Sequence, residues 1–336
     1  MRNYLVHFFV VVLSFSLPAT FFAWWAEPVA GDLTRIGKWA EHDFGPNVAH
    51  PAIQIRATGR ALINPDVLVL GDSFAIYNLW QSVLSDRTGY AVKSFTYDKN
   101  CLASWIEAAI AEPANKVVIV ETLERLFVPR FGNIAACPST APIPVEVAAS
   151  TTAILRPTWP PTLSWSYLVP TAINTARLNT FPEKDSNRSG VINREIDVAC
   201  SRFSNRRNDR LLYYSEDDQK QKLTPQKIDE AVANVLKIQK AVERSGKTFV
   251  FILVPDKSTI YQSCFTSDNA MRKIPNINNA LITAGVNAPD MHKIFYDKKT
   301  AIVDLYLPND THWSAAGYIL AGETVGRYVT SKSLGK

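Results

Sequence analysis

Asp310 and His312 stand two positions apart in the run Asp310-Thr311-His312-Trp313, and Ser73 stands far upstream in Val69-Leu70-Gly71-Asp72-Ser73-Phe74. A serine hydroxyl is a poor nucleophile at neutral pH unless an imidazole takes its proton. The imidazole serves best when a carboxylate fixes its tautomer and stabilises its charged form. Ser73, His312 and Asp310 supply those three groups, and the chemistry they offer is acyl transfer through a serine ester. The one-residue spacing lets the carboxylate reach back to the ring nitrogen that the serine does not use. Taken singly the motifs are ordinary, since Gly-Asp-Ser is a good turn sequence and Asp-x-His a common loop. What gives them weight is where the surrounding pattern puts them.

Residues 67–70 read as a short apolar strand ending at Gly71, with a helix over 74–84. Further strands are expected at 91–97 and 116–121, with a helix at 102–111 between them, and Val117-Val118-Ile119-Val120 is too apolar for a sheet edge. Thr224-Pro225 opens a helix whose apolar positions run from Ile228 to Val242 and which Gly246 stops. A strand at 248–254, a helix at 277–284, a strand at 301–305, the Asp310/His312 loop and a closing helix at 314–329 complete the series. Alternating strands and helices imply a parallel sheet covered on both faces, in which ligands bind at the carboxyl ends of strands. Ser73 and His312 are both expected there. Between about 131 and 223 the pattern fails. That stretch holds Pro157-Thr158-Trp159-Pro160-Pro161, then Trp165 and Tyr167, and is expected to be an irregular insertion. Its aromatics could stack on sugar rings or pack the insertion onto the main domain.

The run from Tyr4 to Trp25 lacks acids, lysine and arginine, follows Arg2, and closes on Trp24-Trp25. About 20 apolar residues suffice to cross a bilayer, and tryptophans favour its interface. An uncleaved signal-anchor over 1–25 is favoured over a cleaved signal peptide, because the apolar run is long and no small-x-small cleavage site ends it. With Arg2 inside, the rest of the chain lies beyond a bacterial inner membrane, facing the periplasm. Residues 26–64 form a membrane-proximal segment and 65–330 the catalytic domain. Four cysteines, Cys101, Cys137, Cys200 and Cys264, are compatible with one or two disulfides in that compartment, or with buried thiols. Their pairing stays open. A net charge of +5 without a basic block or zinc-finger pattern argues against nucleic acid as a partner. His7, His42, His50 and His292 have no second ligand at metal spacing, so no catalytic metal is expected.

The pairing of Gly71-Asp72-Ser73-Phe74 with a late Asp-x-His resembles the SGNH (GDSL) hydrolase superfamily, whose sheet is doubly wound and whose triad is Ser, His and Asp. Asp310-Thr311-His312-Trp313 is closer to the alginate O-acetyltransferase group than to ordinary GDSL esterases, which space the two residues Asp-x-x-His. Val254-Pro255-Asp256-Lys257 with Tyr261, and Gly31-Asp32-Leu33-Thr34-Arg35-Ile36-Gly37 after the anchor, are similar to elements of the same group. The chain departs from it in placing the serine before Asp-x-His, in lacking a Gly-x-Asn-Asp block where Glu121-Thr122-Leu123-Glu124-Arg125 stands, and in lacking an evident second-block glycine near Asn100.

The resemblance implies an O-acetyltransferase acting on a secreted or cell-surface polysaccharide. It also implies a membrane-bound O-acyltransferase that supplies acetyl groups, and no cofactor held by this chain. Esterase activity on a glycan, or a non-catalytic glycan-binding role, would use the same fold. The backbone amide of Ser73 and Asn100 are candidates for the oxyanion, and Lys257, Tyr261, Arg125 and Trp313 for substrate contacts. For Lys257 the alternative is an alkyl stem covering the sheet end, and for Glu121 and Arg125 it is a pair within one helix. Asp72 is expected to shape the turn.

Overall fold

The computed structural model describes residues 2–26, 30–56, 64–96, 102–133, 164–181, 183, 185–267 and 275–334. Its first element, helix α1 (Arg2–Ala26), is long and apolar enough to cross a membrane, and Pro18 lies inside it. Two short helices follow, α2 (Asp32–Gly37) and α3 (Glu41–Phe44). The α/β series then begins with strand β1 (Val67–Gly71), helix α4 (Leu79–Thr88), β2 (Val92–Thr96), α5 (Leu102–Ala111), β3 (Val117–Leu123) and α6 (Phe127–Phe131).

The described part of the expected insertion is not irregular. It holds helix α7 (Trp165–Thr180) and three strands, β4 (Asp185–Arg188), β5 (Val191–Glu195) and β6 (Arg210–Tyr214), which pair antiparallel. Asp185-Ser186-Asn187-Arg188 carries no apolar alternation to announce a strand. The hairpin is made instead by its turn, where Ser189 and Gly190 both adopt left-handed φ, 52° and 83°, as a two-residue turn between right-twisted strands requires. The Pro157–Pro161 cluster, Trp159, Asn100, Cys101 and Cys137 lie outside the described residues.

The series resumes with α8 (Pro225–Arg244), capped by the Thr224 hydroxyl accepting from the Lys227 amide, and β7 (Thr248–Val254). Helices α9 (Lys257–Tyr261), α10 (Ile277–Thr283), α11 (Met291–Lys298) and α12 (Ala315–Leu334) complete the chain. The main sheet has the order β2-β1-β3-β7, all parallel. Every residue of β1, β3 and β7 is buried, which accounts for their near-continuous apolar sequences. Side chains at alternate positions enter two cores. Val67, Val69, Ile119, Val250 and Ile252 meet α4, α11 and α12 on one face. Leu68, Leu70, Val118, Val120, Phe249 and Phe251 meet α5, α6, α8 and α10 on the other. This is the expected doubly wound sheet with helices on both faces.

Two expectations shift. The strand expected at 301–305 is absent: Asp304 has φ 48°, its amide donates to the Arg202 carbonyl, and only an isolated bridge between Tyr306 and Trp313 follows. A left-handed aspartate interrupts the extended run. The helix after β1 begins at Leu79 rather than at residue 74, because 73–77 make turns and Asn78, at φ 54°, precedes the first helical residue. Ser73 therefore stands in a turn above β1 and not at a helix N-terminus. Cys200 and Cys264 form a disulfide.

Candidate functional site

β1 is flanked by β2 on one side and β3 on the other, so the chain direction switches at the carboxyl end of β1, where open α/β sheets form a crevice. The Gly71-Asp72-Ser73 turn occupies that point. Gly71 is required there: a Cβ would fall 2.4 Å from the Ala75 Cβ and 2.6 Å from Glu121 Oε2. Asp72 is buried and shapes the turn as expected, accepting from the Phe74 amide (3.2 Å) and, across the crevice, from the Leu123 amide (2.8 Å). Arg130 of α6 donates to the same carboxylate at 2.6 Å and to Thr122 Oγ1 at 2.8 Å. Glu121 accepts from the Asp72 amide (3.0 Å). Burial and the Asp72 charge push the Glu121 carboxyl well above its ordinary range. Ser73 itself is partly exposed, and neither its amide nor its hydroxyl takes a partner among the described residues.

The second half of the site is the loop 307–312. His312 Nδ1 lies 2.6 Å from Asp310 Oδ1, and the same oxygen accepts the His312 amide at 2.9 Å. A carboxylate at Nδ1 holds the proton there and leaves Nε2 as the basic nitrogen. Nε2 is buried without a hydrogen-bond partner. Phe74, the residue after Ser73, packs its ring on His312 (centroids 4.7 Å) and on Trp313 (4.7 Å). Asp310 and His312 are thus in direct contact, whereas Ser73 makes no hydrogen bond to either of them and is linked to the pair only through its neighbour Phe74.

Burial alone would raise the Asp310 carboxyl. The hydrogen bond and charge of His312, with the His312 and Asp32 amides, bring it down to about 2. Burial disfavours the His312 imidazolium, but the Asp310 hydrogen bond and charge, then the charges of Asp32 and Asp72, outweigh it and raise the imidazole above its ordinary value.

What positions this loop is largely Asp32, a residue whose role the sequence pattern did not disclose. Its carboxylate accepts from the Thr311 amide (3.0 Å), the Thr311 hydroxyl (2.8 Å) and the Tyr214 hydroxyl (3.1 Å), and its amide donates to Asp310 Oδ2 (3.0 Å). The next amides of α2, from Leu33 and Thr34, donate to the Asn309 carbonyl at 3.1 and 3.3 Å. Gly31 lets the backbones approach, since a Cβ would fall 2.0 Å from the Asn309 carbonyl oxygen. Glu41 joins the two sides, accepting from Thr34 Oγ1 at 2.7 Å and from Asn309 Nδ2. These contacts explain the Gly31-Asp32-Leu33-Thr34 sequence. The only signal for them was the resemblance carried by that segment.

Lys257 clamps the loop from below. Its ammonium donates to the carbonyls of Leu307 (2.7 Å), Pro308 (2.9 Å) and Asp310 (3.2 Å), which is more than a stem covering the sheet end. Burial lowers it to about 7 against the raising charges of Asp310 and Asp32. Arg125 does not pair with Glu121. It lies in the 3-10 turn after β3, bound to Asp256 (2.7 Å) and Asp217 (3.3 Å) and placed over the Tyr214 ring, with 12% of its side chain exposed. Lys220 closes this buried network on Glu124 (2.8 Å), Asp256 (2.5 Å) and Thr259 (2.6 Å). Tyr261 stands in the core between Phe203 and Tyr306, 1% exposed. Trp313, also 1% exposed, packs on Phe74, Phe295 and Tyr318. Both are placed to support the loop from inside rather than to face a substrate.

Asp32, Asp310 and His312 each bring a ligand atom within 4.8 Å of one another, the arrangement a cation site would need. The hydrogen bonds just described already account for both carboxylates. Among families, the SGNH hydrolase-like domain of acetyltransferase AlgX matches residues 208–336, a region that contains Lys257, Asp310 and His312 and not Ser73. No curated protein and no solved structure matches the chain.

Proposed function

We propose, from the match of residues 208–336 to the SGNH hydrolase-like domain of acetyltransferase AlgX, that the chain is a membrane-anchored O-acetyltransferase of secreted or cell-surface polysaccharide. The observation that carries the reading is His312, held by Asp310 at one nitrogen and unengaged at the other, against the ring that follows Ser73. In the first half-reaction Nε2 takes the Ser73 hydroxyl proton as Oγ attacks the carbonyl carbon of an acetyl ester. The donor's C–O bond then breaks and its oxygen receives that proton from His312. In the second, a sugar hydroxyl loses its proton to His312 and attacks the acetyl-serine, and Ser73 Oγ leaves with that proton. The Ser73 amide, unengaged in the turn, is the oxyanion donor. Asp72, Arg130 and Glu121 hold the turn, and Lys257 and Asp32 hold the loop.

In this reading α1 anchors the protein in the inner membrane, with the domain on the periplasmic side. The Cys200–Cys264 disulfide suits such an oxidising compartment. A membrane-bound O-acyltransferase supplies acetyl groups from the cytoplasmic side. The test is mass spectrometry of the protein after brief exposure to an activated acetyl ester, with and without an oligosaccharide acceptor. An acetyl adduct on Ser73, absent in His312→Ala and discharged onto the oligosaccharide, is expected. Discharge only as acetate with abundant acceptor would make the protein an esterase, and an adduct elsewhere, or polymer acetylation that survives Ser73→Ala, would overturn the assignment.

A further inference from the structure

We propose that α7 is a second membrane contact, lying along the bilayer surface with one face among the lipid headgroups and upper acyl chains. The helix has two apolar faces. Tyr167, Leu168, Thr171, Asn174 and Leu178 are buried against the protein. On the opposite face Trp165, Val169 and Ile173 follow at intervals of four and are 61%, 49% and 46% exposed. Single exposed apolar residues are common, but three large ones in one stripe mark a surface that is covered by something.

Continuity with α1 identifies the cover. Tyr167 and Leu168, at the start of α7, pack around Ala23 with Phe22 and Trp25 at the carboxyl end of α1. Leu17, further back along α1, is 64% exposed, as a lipid-facing residue would be. If α1 crosses the membrane, its tryptophan-closed end lies at the interface, and α7 begins there. The sixteen residues of α7 include no acid, and exposed Arg177 extends the stripe one turn beyond Ile173. Tryptophan at one end, aliphatic residues along the face and a cation at its edge suit a surface of anionic phospholipid. A protein partner could bury the same stripe, but continuity with a lipid-facing helix favours the bilayer.

The contact has a mechanical reach. Asn174 Nδ2 donates to the carbonyls of Gly37 (3.2 Å) and Lys38 (2.9 Å), and the Tyr167 hydroxyl donates to the Trp39 carbonyl (2.6 Å). These bonds tie α7 to the end of α2, whose first residue holds the Asp310/His312 loop. A membrane-seated α7 fixes the height and orientation of the site above the bilayer.

The inference rests on the anchoring role of α1, and the experiment separates the two. The full chain, in isolated bacterial membranes, is given a photoreactive benzoylphenylalanine in place of Trp165, Val169 or Ile173. The same replacement of Phe9 in α1, and of exposed Ile282 in α10, provides the controls, and thermal melting verifies that each variant folds. After irradiation, phospholipid adducts are expected at positions 165, 169, 173 and 9, and none at 282. Lipid adducts at position 9 with none on α7, or α7 adducts to protein alone, would overturn the membrane seat and leave the anchor standing. Absence of a lipid adduct at position 9 would sink the anchor and the seat with it.

Discussion

His312 is held between burial, which opposes its charge, and three carboxylates, which favour it, and the carboxylates prevail. A base must be neutral to take a proton, so Ser73 acylation should rise with pH through a midpoint above the ordinary 6.5. Asp310→Asn removes the strongest favourable partner. Its profile should move to lower pH and its kcat/KM should fall by roughly 10³–10⁴ if this carboxylate acts like those of other triads, as acylation rates across pH would reveal. Stability carries the same signature. A raised histidine stabilises fully below its unfolded pKa and loses that contribution as pH rises through the folded value. A depressed aspartate stabilises above its unfolded 3.8 and loses its share as pH falls toward about 2. The pair therefore contributes most between 3.8 and 6.5, and the urea midpoint of Asp310→Asn should trail the parent most in that window. At Lys257, replacement by Met keeps the stem and strands three carbonyls. Each buried acceptor so left costs about 1–3 kcal/mol, and a lower melting temperature with weaker acylation is expected. The Asp-x-His pair was legible because its members are two residues apart and act on each other. Asp32 was not, since it meets Asp310 across 278 positions and no local spacing records that contact.

Helix α2 has six residues, too few to stand alone, and its value lies in the amides and the carboxylate it presents to the loop 309–311. Gly31→Ala should therefore act at a distance. The added methyl would meet the Asn309 carbonyl, displace the loop, and reduce acylation of Ser73 by on the order of 10²-fold, the effect of misplacing a catalytic group by about 1 Å. A crystal structure of the variant with the loop unmoved, or an unchanged acylation rate, would refute this. At this scale the sequence discloses elements that bury themselves on both sides and hides those stabilised by turns or partners. β1, β3 and β7 are near-continuous apolar runs, readable to within two residues. β4 is polar and held by the β5 ladder, so it was read as irregular. Residues 301–305 look extended in composition, but the left-handed Asp304 turns them back.

At the scale of the whole molecule, the disulfide Cys200–Cys264 joins the segment between β5 and β6 to the turn after α9 across 64 positions. In the chain-entropy account a loop of that length is worth about 4 kcal/mol. A Cys200→Ser/Cys264→Ser chain should unfold at distinctly lower urea, with a gap from the parent that closes when the parent is reduced. No spacing rule selected this pair from the four cysteines. Deleting residues 2–21 while keeping the α1 end that packs on Tyr167 and Leu168 should move the protein from membrane to soluble fractions without abolishing Ser73 acylation, which cell fractionation and mass spectrometry would check.

The loop carrying His312 is locked by residue 32 from one end of the chain and completed by residues that lie within the last thirty. On the reading proposed above, a chain emerging amino end first would present Ser73 long before His312, and the serine would have no base until Asp310 and His312 had followed and met Asp32. Acylation during synthesis would then wait on the contact between residue 32 and residues 310–311, which sets a timing that no residue of the serine turn carries by itself.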